Sequence, residues 1–233
     1  MRGAHASPRS WLLSKLKHFL LPIRLQFALR HCPAPVVVEV GANDGKTGDP
    51  LYRLIRYNRR GKALLIEPIP YLFERLQNTY SGSSHCILAN VAIASAAGAM
   101  PIYYIDPQAK ASFLELPPYF EELASFDRRK VSNALGDRGA LLLRERVVRT
   151  IPLRALLEEN GITKVDLLQI DTEGYDYEVL KTFPFDSSAP ALVCFEHCHL
   201  SQLDRTAAVS LMISCGYSIE KWGKDFVCVQ KPS

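Results

Sequence analysis

From residue 36 onward the chain repeats one pattern: a short apolar run, a turn, then apolar residues at helical spacing. "PVVVEV" (35–40) is the first run, of the near-continuous kind that parallel strands buried on both faces show. Asp49-Pro50 opens a helix with Leu51, Leu54 and Ile55 on one face. "KALLIE" (62–67) is a second strand, and Pro70 starts a helix carrying Leu72, Phe73 and Leu76. "HCILANVAIAS" and "MPIYYI" flank Ala-Ala-Gly-Ala, which predicts a third strand continuing into a hairpin. After residue 150 the alternation resumes with a helix from Pro152 to about Asn160-Gly161, then "KVDLLQI" and a helix after Gly174. "ALVCFE" and a helix through Leu211 and Met212 to Gly216 follow. The last two strands, "YSIEKW" and "FVCVQ", are joined tightly by Gly223-Lys224.

Strands alternating with helices predict an α/β fold, a doubly wound and mostly parallel sheet with a C-terminal antiparallel hairpin. Residues 106–150 interrupt the alternation with "SFLELPPYFEELASF", a mixed-charge stretch and the strand-like "RVVRT". They are expected to form a cap-like insertion or lid, or else an ordinary packed excursion. The organisation is then a basic N-terminal helical extension over 1–35 and one domain over 36–233. A chain of 233 residues can bury the core such a domain needs.

In the extension, Leu12, Leu13, Leu16, Phe19, Leu20, Ile23 and Phe27 recur at helical spacing, with Pro22 dividing two short helices. It is expected to pack on the domain, or to touch anionic lipid as a cationic surface helix over 11–30. The formal charge of +4 resides there. Six of the 28 basic residues precede the first acid, Glu39, leaving 22 bases against 24 acids. A slightly acidic body argues against a nucleic-acid partner. No apolar run reaches the ~18 residues of a membrane span. The six cysteines form no CxxC pair and read as reduced core residues. A cytoplasmic protein is expected, at most peripheral to the inner face of a membrane.

Sheets of this class bind ligands beyond the carboxyl ends of their strands, and here those ends are acidic. Gly41 and Gly45 in "VVVEVGANDGKTGD" let the first turn bend sharply. Asn43 stands where a dinucleotide fingerprint has its middle glycine, and Glu39 and Asp44 would repel a pyrophosphate. A cationic ligand suits the loop better; S-adenosylmethionine, with a sulfonium, an ammonium and no phosphate, qualifies. Glu67-Pro68 ends the second strand 26 residues after Gly41, placed to accept hydrogen bonds from a ribose diol. Asn90 at the third strand end would face an adenine edge. In the fourth strand, alternation puts Gln169 and Asp171 on one face, and Asp176 and Glu173 suit a helix start. Glu196 and His197 end the fifth. Asp171 and His197 are candidate general bases, with Glu196 orienting either. A zinc site from Cys194, His197, Cys198 and His199 is disfavoured, because 194 and 197 point to opposite faces of a strand. A divalent metal among Asp171, Glu196 and His197 is chemically feasible but not predicted.

"VVVEVGANDG", "LLIEP", "ANVAIAS", "DLLQIDTEGYDYEVL" and "PALVCFEH" resemble, in order, successive motifs of FkbM-type methyltransferases. The resemblance covers roughly residues 36–200. It implies a Rossmann-like class I fold and S-adenosylmethionine-dependent methylation of a hydroxyl on a sugar, glycolipid or polyketide-like molecule. By that resemblance Glu39, Gly41, Asn43, Gly45 and Glu67 fall at cofactor positions, with Ala42, Asp44, Pro68, Asn90, Val91 and Asp171 in the same loops. Asp171, Glu173 and Glu196 fall at the reaction centre. Where the family commonly has lysine, two positions before the motif aspartate, this chain has Gln169. A nicotinamide-dependent oxidoreductase and a non-catalytic nucleoside-binding module are the competing expectations.

Overall fold

The computed structural model describes residues 20–27, 29–30, 32–105, 123–134 and 142–231. The first half of the basic extension and most of the expected lid lie outside the described residues. The elements in chain order are β1 (Val36–Val40), α1 (Tyr52–Tyr57), β2 (Lys62–Ile66), α2 (Pro70–Thr79), β3 (Cys86–Ala89), β4 (Ala92–Ile93), β5 (Gly98–Ile105) and β6 (Ala124–Ser125). They continue with α3 (Arg128–Ala134), β7 (Leu143–Ile151), α4 (Leu153–Glu159), β8 (Leu167–Ile170), α5 (Asp176–Thr182), β9 (Leu192–Glu196), α6 (Gln202–Ser214), β10 (Tyr217–Trp222) and β11 (Asp225–Gln230). A further helical segment spans residues 20–27.

Among the described residues the main sheet has seven strands in the order β10-β11-β9-β8-β1-β2-β3. The five from β9 to β3 are parallel, and β11 runs antiparallel to both β9 and β10. Strand order reverses direction between β1 and β8, so the crossovers leave on opposite sides and a crevice opens at the carboxyl ends of those two strands. Alternation sorts the side chains. Val38, Val40, Leu168, Ile170, Val193 and Phe195 join α4, α5 and α6 in one core. Val37, Leu167, Leu192 and Cys194 join α1, α2 and the N-terminal helical segment in the other. That segment buries Leu21 and Leu25, and the turn after it Leu29, the packed arrangement expected of an amphipathic stripe. No described helix is long and apolar enough to cross a membrane.

The expected hairpin after the third strand is not formed. β7 inserts between β4 and β5 in a second sheet of order β4-β7-β5-β6. β5 and β7 pair antiparallel over eight residues each, whereas β4 reaches β7 only through Ala92 and Ile93. The longer ladder satisfies more backbone groups, so β5 takes the distant partner over the adjacent one. The consequence is functional: β6 and α3 come to stand over the carboxyl end of the main sheet.

Candidate active site

The loop after β1 is shaped by close backbone approach. Gly41 has φ +86°, and a Cβ there would collide with the Asp171 carbonyl oxygen on β8's extension. Asn43 takes φ +50° and donates its amide to Glu67 Oε2 at 3.0 Å. Glu67 Oε1 accepts the Ile69 amide at 2.7 Å, so one buried carboxyl ties the β1 loop to the β2 loop. Burial, opposed by those two amides, raises its pKa to about 7. Asp44 turns into its own loop, accepting the amides of Lys46 and Thr47 and the Thr47 hydroxyl. Gly45 is a packing glycine, since a Cβ there would meet Leu76 and Tyr80.

These loops enclose a cavity of about 270 Å³ in the β1/β8 crevice. Of the cofactor positions read from sequence, Glu39, Gly41, Ala42, Asn43, Glu67, Pro68, Val91 and Asp171 line it, whereas Asp44, Gly45 and Asn90 do not. Asn90 is a correction. Its side-chain amide donates to the carbonyls of Glu67 (2.8 Å) and Pro68 (3.1 Å), clamping the β2 loop instead of offering an edge to a base. Asp49, not anticipated as a site residue, stands beside Glu39 on the cavity wall. Burial first, then the Asp49 carboxyl, pushes Glu39 well above the carboxylate range, and burial takes Asp49 to about 6. The Glu39 and Asp49 carboxyls share a hydrogen bond, and Gln169 Oε1 on the same wall is buried without a hydrogen-bond partner. A buried carboxyl pair beside an unpartnered amide oxygen fits a ligand that brings N–H donors and positive charge. The ammonium and sulfonium of S-adenosylmethionine match that donor set, and its ribose matches the Glu67 end.

At the other end, charge is concentrated around Asp171. Lys224, from the hairpin turn between β10 and β11, places Nζ 3.2 Å from Asp171 Oδ2 and 2.9 Å from Glu196 Oε1. His199 Nδ1 lies 2.6 Å from Glu196 Oε2 and 2.7 Å from Glu173 Oε2. Burial, and secondarily Glu196, lifts the Asp171 pKa to about 7 against the pull of Lys224. Glu196 goes the other way: His199 and Lys224 outweigh its burial and hold it at about 2. Hydrogen bonds with Cys198, Glu173 and Glu196 raise His199 to about 12. Glu173 occupies left-handed backbone space at φ +52°. It and Asn43 are the two non-glycine residues with positive φ among those described, and both line the cavity. Such conformations cost about 1–3 kcal/mol each and persist where surrounding structure imposes them. Asp176, expected only as a helix-terminus acid, is fully buried and accepts from the Thr172 hydroxyl and the amides of Gly174 and Glu196. It pins the motif loop to the end of β9.

The sequence model of the methyltransferase FkbM domain family matches residues 39–219, a span that holds every acidic strand end just described. The chain belongs to this family. It is an S-adenosylmethionine-dependent methyltransferase, and the oxidoreductase and non-catalytic expectations fall away. No curated protein sequence matches it. Among solved structures, it is similar to a Methanococcus jannaschii fibrillarin pre-rRNA processing protein at 11% identity, over 86% of this chain and 68% of that one, with a TM-score of 0.46. A precorrin-6y C5,15-methyltransferase from Geobacter metallireducens shares 12% identity over 85% and 71%, with a TM-score of 0.41. A Pyrococcus furiosus methyltransferase shares 13% over 91% and 83%, also at 0.41. Likeness at this level bears on neither activity nor substrate.

Within the FkbM methyltransferase, His197 is a second correction. Alternation places it on the opposite side of the strand end from its neighbour Glu196. Its ring lies 4.3 Å from Phe226 and outside the cavity, both ring nitrogens buried without partners. Burial, then Lys221 and Arg205, lowers its pKa. Glu196 itself does not line the cavity but reaches it through Lys224. Asp171, Glu173 and Glu196 hold carboxylate oxygens within 4.8 Å of one another, spaced as a divalent cation requires. All three face Lys224 or His199, and we assign no ion to them.

Proposed function

We propose that this FkbM methyltransferase methylates a hydroxyl oxygen of a sugar, glycolipid or polyketide-like small molecule, with Asp171 as the proton acceptor. The observation that carries the reading is the position of Asp171: on the cavity wall at the sheet switch point, with a pKa near 7 and a lysine against it. A base poised near the working pH combines a useful deprotonated fraction with enough basicity to take a hydroxyl proton. Glu39, Asp49, Gln169 and Glu67 would hold S-adenosylmethionine, which when bound supplies a methyl group activated on sulfonium. Lys224 keeps the Asp171 carboxylate oriented, while the Glu196–His199–Glu173 chain holds Lys224's second partner in place. Phe126 and Tyr175, in edge contact at 4.9 Å, give the chamber an aromatic stretch of wall. Ala124, Ser125 and Phe126 on that wall support a lid role for the described part of the 106–150 region.

The test is transfer of label from methyl-labelled S-adenosylmethionine to fractionated glycans, glycolipids and polyketide-like alcohols by the full chain. Label in alkali-stable ether linkages is expected. Label confined to nitrogen, carbon or carboxyl esters would overturn the reading. A second expectation concerns pH. Asp171 must be deprotonated, so kcat/KM rises with pH through about 7 and then levels. Lys224→Met removes the cation favouring the charged carboxylate, so the rise should move to higher pH by about one unit or more. An unmoved limb would show that Lys224 does not act through Asp171.

We place the protein in the cytoplasm, with peripheral contact to anionic lipid through the N-terminal segment. Ile23 and Phe27, 60% and 59% exposed, with the Arg30 guanidinium over the Phe27 ring, support that contact.

A further inference from the structure

A second depression adjoins the reaction chamber. Tyr103, Phe126, Asp127, Arg128, Arg129 and Ser132 contribute to its lining, and Phe126 is common to both cavities. The single acid is already committed: Asp127 Oδ1 accepts the Arg129 amide at 2.9 Å, capping α3. The guanidinium groups of Arg128 and Arg129 form no ion pair with any described residue. The next residue, Lys130, turns toward the reaction centre. Its Nζ lies so close over the motif loop that a Cβ on Gly174 would stand 2.8 Å from it. Three successive cations on one short helix thus run from the depression to the loop that carries Asp171 and Glu173.

Their surroundings give this cluster meaning. The chamber wall carries five carboxyls, Glu39, Asp49, Glu67, Asp171 and Glu173, against one lysine, Lys224, so an anionic group is disfavoured in its interior. An acceptor that bears a negative charge must leave that charge outside while its neutral hydroxyl enters. Guanidinium forks with no ion-pair partner among the described residues, set beside a tyrosine, suit the oxygens of a phosphate, which they hold by charge-assisted, bidentate hydrogen bonds. We propose that the depression under α3 is an anchoring subsite for a phosphate or pyrophosphate group on the acceptor, holding that group outside the chamber while the hydroxyl points in. The subsite deepens the hydroxyl-methylation reading and rests on it for the acceptor's other end. The phosphate can be borne by a soluble ester or by a lipid.

The experiment uses the full chain saturated with S-adenosylhomocysteine, titrated calorimetrically with inorganic pyrophosphate, and separately sedimented with phosphatidic acid vesicles. The double variant Arg128→Ala/Arg129→Ala should bind pyrophosphate about tenfold or more weakly, with S-adenosylhomocysteine affinity unchanged as the sign of an intact fold. Loss in the pyrophosphate arm alone identifies a soluble phosphate ester, and loss of vesicle binding identifies a lipid-borne one. Equal binding by variant and parent in both arms, or no binding by the parent in either, overturns the subsite. Neither result depends on methyl transfer, so failure of the hydroxyl reading would show separately, in the labelling assay.

Discussion

Replacing Asp171 with Asn is expected to lower kcat by about 10²–10⁴-fold, with S-adenosylhomocysteine binding and thermal stability little changed. The amide matches the carboxylate in shape, so the Lys224 ammonium still donates a hydrogen bond, now to the amide oxygen. Burial first, then the charges of Glu196 and Glu173, lifts the Asp171 pKa to about 7. Removing a like charge from that group relieves repulsion, and the folded state should not suffer. What disappears is the basic carboxylate able to take the acceptor's proton. Rates measured at saturating cofactor, alongside a melting curve, separate this from misfolding. A variant within about threefold of the parent would move the base elsewhere, and Glu173 is the next lining carboxylate.

The Gly41→Ala variant is expected to lose about 3 kcal/mol or more of stability, combining left-handed backbone strain with overpacking. For a domain of this size that is a melting-temperature drop of roughly 6–12 °C. The added methyl meets a backbone oxygen, that of Asp171, which cannot swing aside as a side chain would. Asp171 is itself held, its amide donating to Val40 O at 2.9 Å. Relief must therefore come from parting β1 and β8, the two strands that frame the cavity. Gly161 supplies the comparison. It too has positive φ, +62°, but open space where a Cβ would go, so Gly161→Ala should show only the smaller conformational cost of about 1 kcal/mol. Thermal unfolding of both variants checks the difference. Equal small losses would mean that the β1–β8 junction yields readily.

Much of the chamber was legible in the sequence because its residues sit at strand ends, where a local apolar run stops and an acid begins. Glu39, Glu67 and Asp171 were found this way, and all three line the cavity. His197 misled for a related reason. It adjoins Glu196 in sequence, and adjacent residues of an extended strand face opposite ways. Asn90 misled differently, since a turn amide serves backbone carbonyls as readily as a ligand. Lys224 carried no local signal at all. It sits in a two-residue turn, 53 residues from Asp171, and its role exists because β11 pairs with β9. Gln169 leaves no cation two residues before the motif aspartate, and one arrives instead from a separate hairpin.

Taken alone, the amino-acid sequence determined the alternation of strands and helices, the acidic strand tips and the family motifs, because hydrophobic period and turn chemistry are properties of neighbouring residues. Only the tertiary structure decided that β7 parts β4 from β5, that α3 sets three cations beside the chamber, and that Lys224 meets Asp171. Those outcomes depend on which distant strands share a ladder, a choice made by backbone pairing and core packing across the whole domain. No window of sequence contains it.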